Sequence, residues 1–275
     1  MDDYTETNRQ RWDELVPIHL RSAFYDVDGF RNGACSLMPP ELEAVGDPRG
    51  LRLLHLQCHF GLDTLSWARR GAIVTGVDFS APAVDAAKAL AAETGIDARF
   101  VCADVLALGD ALDDSFDLVF ASYGALTWIG DLRGWMKVAQ RFLRPGGRLC
   151  VVELHPQAFT LAAAQAPSDP TALLPADTYF ATAAPYRDDE ASTYADRSAV
   201  VEQREHYFWP WNLGDVVTAA AAAGLTIERL TELPRAHYPV FSFLEPDGGG
   251  AYRLRGGVDA VPLTYVLLAR RRFAD

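Results

Sequence analysis

No stretch of this 275-residue chain approaches the roughly 18–20 consecutive apolar residues that a bilayer-spanning helix needs, so no membrane partner is expected. The first residues, MDDYTETNRQRW, lack the basic and apolar blocks of a signal peptide, and a cytoplasmic location is the expectation. Cysteine is scarce: Cys35, Cys58, Cys102 and Cys150 lie far apart with no C-x-x-C pair, which argues against a disulfide framework or zinc ligands and for buried free thiols. No His, Asp or Glu cluster has metal-ligand spacing, so no metal is expected. Positive charge is in deficit, with 25 basic residues against 37 acidic and a net charge of −12. Such a surface repels a phosphate backbone on average, and no nucleic-acid partner is expected. Two catalytic signatures are also missing, the G-x-S-x-G of a hydrolase elbow and the G-x-G-x-x-G of a dinucleotide site.

What is present is an alternation. Apolar runs at Leu51–Leu56, Ala72–Val77, Ala98–Val101, Phe116–Ala121 and Arg148–Leu154 are separated by helical patterns at Leu62–Arg70, Ala81–Thr94 and Leu132–Leu143. Strands alternating with helices predict an α/β, Rossmann-like, doubly wound and mainly parallel sheet, and near-continuous apolarity in the runs predicts burial on both faces. Leu225–Leu233 and Pro262–Arg270 read as two more strands, which makes seven. Asn212–Ala223 reads as a helix closed by Gly224, and Ser198–Phe208 as a strand. Glu6–Leu20 predicts a helix kinked or ended near Val16 by Pro17. Pro246–Gly257, with three consecutive glycines, reads as a flexible connection. The expected organisation is an N-terminal helical cover (1–50), a core (51–155), an acceptor-site insertion or lid (156–211) and a C-terminal helix with the last two strands (212–275).

Ligands in doubly wound sheets sit at the carboxyl ends of the strands. There the first strand turns through Leu56-Gln57-Cys58-His59-Phe60-Gly61, the second ends at Asp78-Phe79, and the third at Ala103-Asp104-Val105. Asp78 is suited to accept hydrogen bonds from ribose hydroxyls, Phe79 to pack on an adenine face and Asp104 to receive the adenine amino group.

With the Phe116–Phe120 strand and the Arg144-Pro145-Gly146-Gly147 turn, these pieces resemble the class I S-adenosylmethionine-dependent methyltransferases over about Leu51–Leu154. The HLQCHFGLD stretch and the N-terminal NRxRW segment resemble bacterial small-molecule members. The resemblance implies S-adenosylmethionine as cofactor, S-adenosylhomocysteine as product, and O-, N- or C-methylation of a small acceptor, with secondary metabolism as the expected setting. It also implies cofactor contacts from Tyr25, Leu56, Gln57, Cys58, His59, Gly61, Asp63, Asp78, Phe79, Ala103, Asp104, Val105, Ala121 and Ser122. The chain departs from the family where His55 replaces an acid and where Gln57 and His59 replace the first two glycines of the turn. Those two residues must take ordinary dihedrals or endure a strained turn.

Methyl transfer mainly requires positioning, with a base only where the acceptor must lose a proton. Candidates are His155, Tyr123, Tyr25 and His19, with Tyr123, Trp128, His155, His206, Trp209 and Trp211 as acceptor contacts and His237 and Tyr238 as further loop residues. For His155 the plain alternative is a turn histidine bonded to backbone before Pro156; for the aromatic run His206–Trp211 it is packing, or a homodimer contact. Two other uses of the same sheet stay open: a cofactor-binding enzyme for cyclisation or decarboxylation, and a non-catalytic binding protein.

Overall fold

The computed structural model describes residues 2–162, 178–180, 184–257 and 259–273. Three helices come first, α1 (Asp3–Arg21), α2 (Val27–Arg31) and α3 (Pro39–Val45). The alternating core follows: β1 (Arg52–Leu56), α4 (Leu62–Arg69), β2 (Ile73–Asp78), α5 (Ala81–Thr94), β3 (Arg99–Cys102), β4 (Phe116–Ser122), α6 (Leu132–Phe142) and β5 (Leu143–Leu154). Then come α7 (Pro156–Ala162), β6 (Tyr186–Asp188), β7 (His206–Phe208), α8 (Leu213–Ala222), β8 (Leu225–Leu233), β9 (Leu244–Pro246), β10 (Tyr252–Leu254) and β11 (Thr264–Arg271).

Seven strands form one sheet in the order β3-β2-β1-β4-β5-β11-β8. Neighbours from β3 to β5 pair in parallel, and β11 runs antiparallel to both β5 and β8. Successive residues point to opposite faces. Thus Val119, Leu149 and Val151 join the cluster under α6 and α8, while Leu118, Cys150 and Val152 join the one that includes Ala44 and Trp67. In α6, Leu132, Trp135, Met136, Ala139 and Phe142 recur at helical spacing and are all buried, and Asp131 caps the helix by accepting from Gly134 N at 2.8 Å.

Several expectations are corrected. The α1 helix continues through Pro17 to Arg21. Burial of Leu15 and Val16 and the bonded His19 outweigh the one hydrogen bond that proline removes. The Arg144–Gly147 turn is a bulge inside β5, where pairing steps from Phe116↔Leu143 to Leu118↔Arg148. Of Ser198–Phe208 only His206–Phe208 is strand, because α1 takes the backbone groups just before it: Glu14 accepts from Glu202 N and Gln203 N. Pro246–Gly257 contains most of a β-hairpin, whose turn is fixed by Asp247 accepting from Gly249 N and Ala251 N. All four cysteines are free, but only Cys58 and Cys150 are buried as expected, whereas Cys35 and Cys102 are exposed. The expected insertion at 156–211 falls in part on 163–177 and 181–183, outside the described residues.

Its described part is fastened to α1. Buried Arg11 donates to the carbonyls of Glu190, Ser192, Gln203 and Arg204 at 2.8–3.1 Å, and Asn8 brackets Tyr207 with bonds to its carbonyl and from its N–H. Replacing Arg11→Met keeps the stem and orphans these carbonyls, so a loss of about 2–4 kcal/mol is expected. Urea unfolding measures it, with limited proteolysis reporting faster cleavage between 184 and 205; unchanged cleavage would mean that other contacts hold the segment.

Candidate active site

A cavity of about 490 Å³ opens at the carboxyl ends of β1, β2, β3 and β4. The loops that follow those strands form its floor. Trp12 of α1, the Phe24–Asp26 and Cys35–Ser36 segments, Tyr194, Tyr238 and Phe241 close over it.

The turn after β1 resolves the question posed by its missing glycines. Gln57 has φ of 56° and His59 of 50°, both in the left-handed region, followed by Gly61 at 82°. The backbone therefore follows a glycine-like path built from L-residues, at a cost of roughly 1–2 kcal/mol for each. Side-chain bonds hold it there. Gln57 Nε2 donates to Ala125 O at 2.7 Å, Gln57 Oε1 accepts from the buried Trp135 Nε1 at 2.9 Å, and His59 N donates to Asp78 Oδ2 at 2.8 Å. Gly61 has its own reason to be glycine, since a Cβ there would meet the Phe100 ring at 2.8 Å. His55, in the position of the family's acid, is buried; its Nδ1 lies 2.8 Å from Thr64 Oγ1, and burial pushes its pKa down to about 3. It is neutral at physiological pH.

Asp78 ends β2 with its second oxygen accepting from Ser80 N at 3.0 Å. Burial raises its pKa to about 6, against the pull of these backbone N–H groups. Asp104 caps the short 3₁₀ helix Val105–Asp110 through Leu106 N and lines the cavity together with Ala103, Val105 and Phe79. Asp63, in the first turn of α4, accepts from Ser36 Oγ at 2.7 Å and Ser122 Oγ at 3.0 Å; burial raises its pKa and the two hydroxyls oppose the rise. After β4 the chain turns through Tyr123, with φ of 35°, and Gly124. Buried Glu153 of β5 accepts from Gly124 N and Leu126 N, and burial raises its pKa to about 7.

Residues 54–151 match the family model for the methyltransferase domain. They are a methyltransferase domain. This methyltransferase domain is similar to the ubiquinone biosynthesis O-methyltransferase of Xanthomonas axonopodis pv. citri, 32% identical over 148 residues, which are 52% of this chain and 62% of that protein. The chain thus spans less than two thirds of the length of that curated relative. Among solved structures, an S-adenosylmethionine-dependent methyltransferase from Mesorhizobium loti superimposes with a TM-score of 0.54 at 22% identity, covering 88% of this chain and all of that one. A 4+2 cyclase superimposes with a TM-score of 0.57 at 17% identity, over 96% and 95% of the two chains. These likenesses are of fold.

The methyltransferase domain and its cover bring most of the expected residues together. Tyr25, Gln57, Cys58, His59, Gly61, Asp63, Asp78, Phe79, Ala103, Asp104, Val105, Ser122, Tyr123, Trp128 and Tyr238 all line the cavity. Leu56 and Ala121 do not, because their side chains belong to the core under α6. His155 is corrected as a base: it is 2% exposed and away from the cavity, with Nδ1 accepting from Gln157 N at 3.0 Å and Nε2 donating to Glu232 at 2.9 Å. His19 is likewise buried behind the wall. Its Nδ1 shares a 3.0 Å hydrogen bond with His59 Nε2, its Nε2 lies 2.7 Å from Thr193 Oγ1, and burial pushes its pKa down to about 3. His206, Trp209 and Trp211 lie outside the lining; Trp209 N and Trp211 Nε1 donate to the Thr127 and Ile129 carbonyls and pin that segment. His237 is outside the lining too. Sequence reasoning missed Ser36, Glu41 and Tyr194. Only Glu41 carried a signal, an acid spaced three and four residues before Ala44 and Val45 on an otherwise apolar helix face. Among the described residues, no group of three or more His, Cys, Asp or Glu side chains is placed to hold a metal ion.

The clamp on the turn makes a prediction opposite to the family pattern. Gln57→Gly relieves about 1–2 kcal/mol of left-handed strain but orphans Trp135 Nε1 and Ala125 O, at about 1–3 kcal/mol for each buried group. A net loss of about 1–3 kcal/mol in urea unfolding is expected; a gain would show that the clamp contributes little.

Proposed function

We propose that the chain transfers a methyl group from S-adenosylmethionine to an uncharged, hydroxyl-bearing small molecule of the size of a secondary metabolite. The observation that carries the reading is the charge and shape of the cavity. Asp63, Asp78 and Asp104 face it from three successive strand–helix junctions, the Gln57–Gly61 turn keeps a glycine-like backbone beside them, and among the described residues no lysine or arginine lines it. Residues 156–186, which include most of those not described, contain no lysine or arginine in their sequence either.

This donor set fits the cofactor. Asp78 would accept from the ribose hydroxyls, Asp104 and Phe79 would hold the adenine, and Asp63 would face the methionine ammonium. When bound, S-adenosylmethionine supplies an electrophilic methyl group on a sulfonium. Trp12, Tyr25 and His59 line the cavity and would help to exclude water from that centre, and aromatic faces favour a cation by roughly 0.5–2 kcal/mol. Tyr25 and Tyr194 hydrogen-bond through their hydroxyls, which ties the N-terminal cover to the 184–211 segment. That segment, with the remainder of 156–211, is proposed to form the acceptor side of the site.

The absence of a cationic side chain disfavours carboxylate or phosphate acceptors, nucleic acid among them, since a buried anion without a counter-charge is costly. Oxygen is the favoured acceptor atom: the ubiquinone biosynthesis relatives are O-methyltransferases, and the wall offers hydroxyl groups from Tyr25, Tyr123, Tyr194 and Tyr238.

Calorimetric titration with S-adenosylhomocysteine tests the cofactor reading. Micromolar affinity is expected, weakening as pH falls through about 6, because Asp78 must be ionised to accept two ribose hydroxyls. Asp78→Asn should cost about 10–100-fold in affinity and remove that pH dependence. An affinity independent of both pH and Asp78 would reject the ribose assignment, and no binding at any pH would reject the cofactor.

A further inference from the structure

One buried carboxylate next to this site is only partly compensated. Glu41 is in the first turn of α3 and is 0% exposed. Its carboxylate lies near the backbone N–H groups of Met38 and of Glu41 itself at the start of the helix. Among the described residues no lysine or arginine forms an ion pair with it, and its Oε1 is buried without a hydrogen-bond partner. Its side-chain partner is on the cavity wall, where Tyr123 Oη donates to Glu41 Oε2 at 3.0 Å. Tyr123 is held by three features: its φ of 35°, its N–H bonded to Val152 O at 2.7 Å, and an edge contact with Tyr238 at 4.9 Å between centroids. A buried acid with no ion-pair partner is retained at a cost to stability unless it does something else.

We propose that Tyr123 and Glu41 form the proton-accepting pair for the acceptor hydroxyl, with Tyr123 touching the acceptor and Glu41 acting through it as a positioning and proton-holding residue. The assignment rests on the methyl-transfer reading above. As the acceptor oxygen forms its bond to the methyl carbon, its O–H bond breaks and that proton goes to Tyr123 Oη. The proton already on Oη moves to Glu41 Oε2, and the electron pair of the broken carbon–sulfur bond stays on sulfur. Tyrosine is neutral before and after, the carboxylate becomes a carboxylic acid, and the positive charge on sulfur is discharged. Burial favours this division of labour, since it raises the Tyr123 hydroxyl well above its ordinary range and keeps it a relay. Burial first, and Asp63 of α4 second, raise Glu41 to about 8, while its own N–H, that of Met38 and the Tyr123 hydroxyl oppose the rise. The other titratable groups within its influence are Tyr238, from the loop before β9, and Cys150 of β5, and Arg148 and Arg229 act on Cys150 from β5 and β8. A base with a pKa near the working pH is suited to such a transfer.

The test uses the full chain, a set of catechols and phenols graded in acidity up to nitrocatechols, and the variants Glu41→Gln and Tyr123→Phe. Wild-type kcat should rise with pH through about 8 as Glu41 ionises. Each variant should lose about a hundredfold in kcat on the weakly acidic acceptors, with KM and S-adenosylhomocysteine affinity within about twofold. The deficit should shrink to about threefold or less on nitrocatechols already ionised at the assay pH, which need no base. Infrared difference spectra of the protein without acceptor should show a carboxylic-acid component that vanishes between about pH 7 and 9 in wild type and is lost in Glu41→Gln, while the components of Asp78 and Glu153, which ionise at lower pH, remain in both. Equal losses across the acidity series, no loss, or no such band would overturn the pair. Binding of S-adenosylhomocysteine without methylation of any member of the set overturns it as well, whereas no cofactor binding at all is the failure of the methyl-transfer reading.

Discussion

The cavity floor is made of loops, and loops at strand ends keep a shape only if something fixes them. Here the fixing is done by side chains that project from the strand ends into neighbouring turns. Gln57 reaches across to Ala125 O and back to Trp135 Nε1; Glu153 reaches under the β4 loop to Gly124 N and Leu126 N; Asp78 takes the His59 and Ser80 amides. Ala125 lies inside the turn that Glu153 holds, so the first and fourth strand ends are coupled through one loop and anchored on α6. Three non-glycine residues, Gln57, His59 and Tyr123, can then sit at positive φ where glycine is the inexpensive choice. Removing one clamp would release strain and orphan polar groups together, and the second effect is larger.

This is also why the sequence was legible in some places and not in others. The five core runs and their helices could be read because burial on both faces writes itself as near-continuous apolarity, a local signal. Asp78, Asp104 and the β1 turn could be read because a doubly wound sheet puts strand ends in one place. His155 misled for the same reason: it is at a strand end, but β5 pairs there with β11, and its ring points to Glu232 on β8 and not to the cavity. The aromatic run from His206 misled because aromatic content does not say which surface it meets; Trp209 and Trp211 are spent on the Thr127–Ile129 backbone. Tyr194 had no periodicity around it, and its place depends on Arg11 and Glu14, about 180 residues earlier, taking the flanking backbone. No local pattern encodes a contact of that range.

The cover is therefore built from both ends of the chain. A guanidinium that satisfies four carbonyls replaces the ladder that the 190–204 segment lacks, and Arg suits the task because its donors are fixed in a planar fork. The neutral His59–His19–Thr193 chain continues the same logic at the cavity wall, joining the cofactor turn, α1 and the 184–211 segment through hydrogen bonds without placing a charge there. Small displacements of α1 would reach the turn through His59 as well as through Trp12, whose ring contacts both His59 and Trp128.

Charge is the remaining constraint, and its sign can be worked out. Asp78, Glu153 and Glu41 have pKa values raised by burial to about 6, 7 and 8. In each case the folded state holds a proton more tightly than the unfolded chain. Their contribution to stability is therefore most favourable below the ordinary carboxylate range, and it declines as pH rises through these values. A fold that kept three such groups for stability alone would gain from replacing them with neutral side chains. Asp78 and Glu153 offset part of the cost by organising backbone amides. Glu41 meets the N–H groups at the start of α3 but keeps one oxygen without a hydrogen-bond partner, and its side-chain partner leads to the cavity. The least compensated acid in this region is thus the one aimed, through Tyr123, at the place where a neutral acceptor would have to give up a proton.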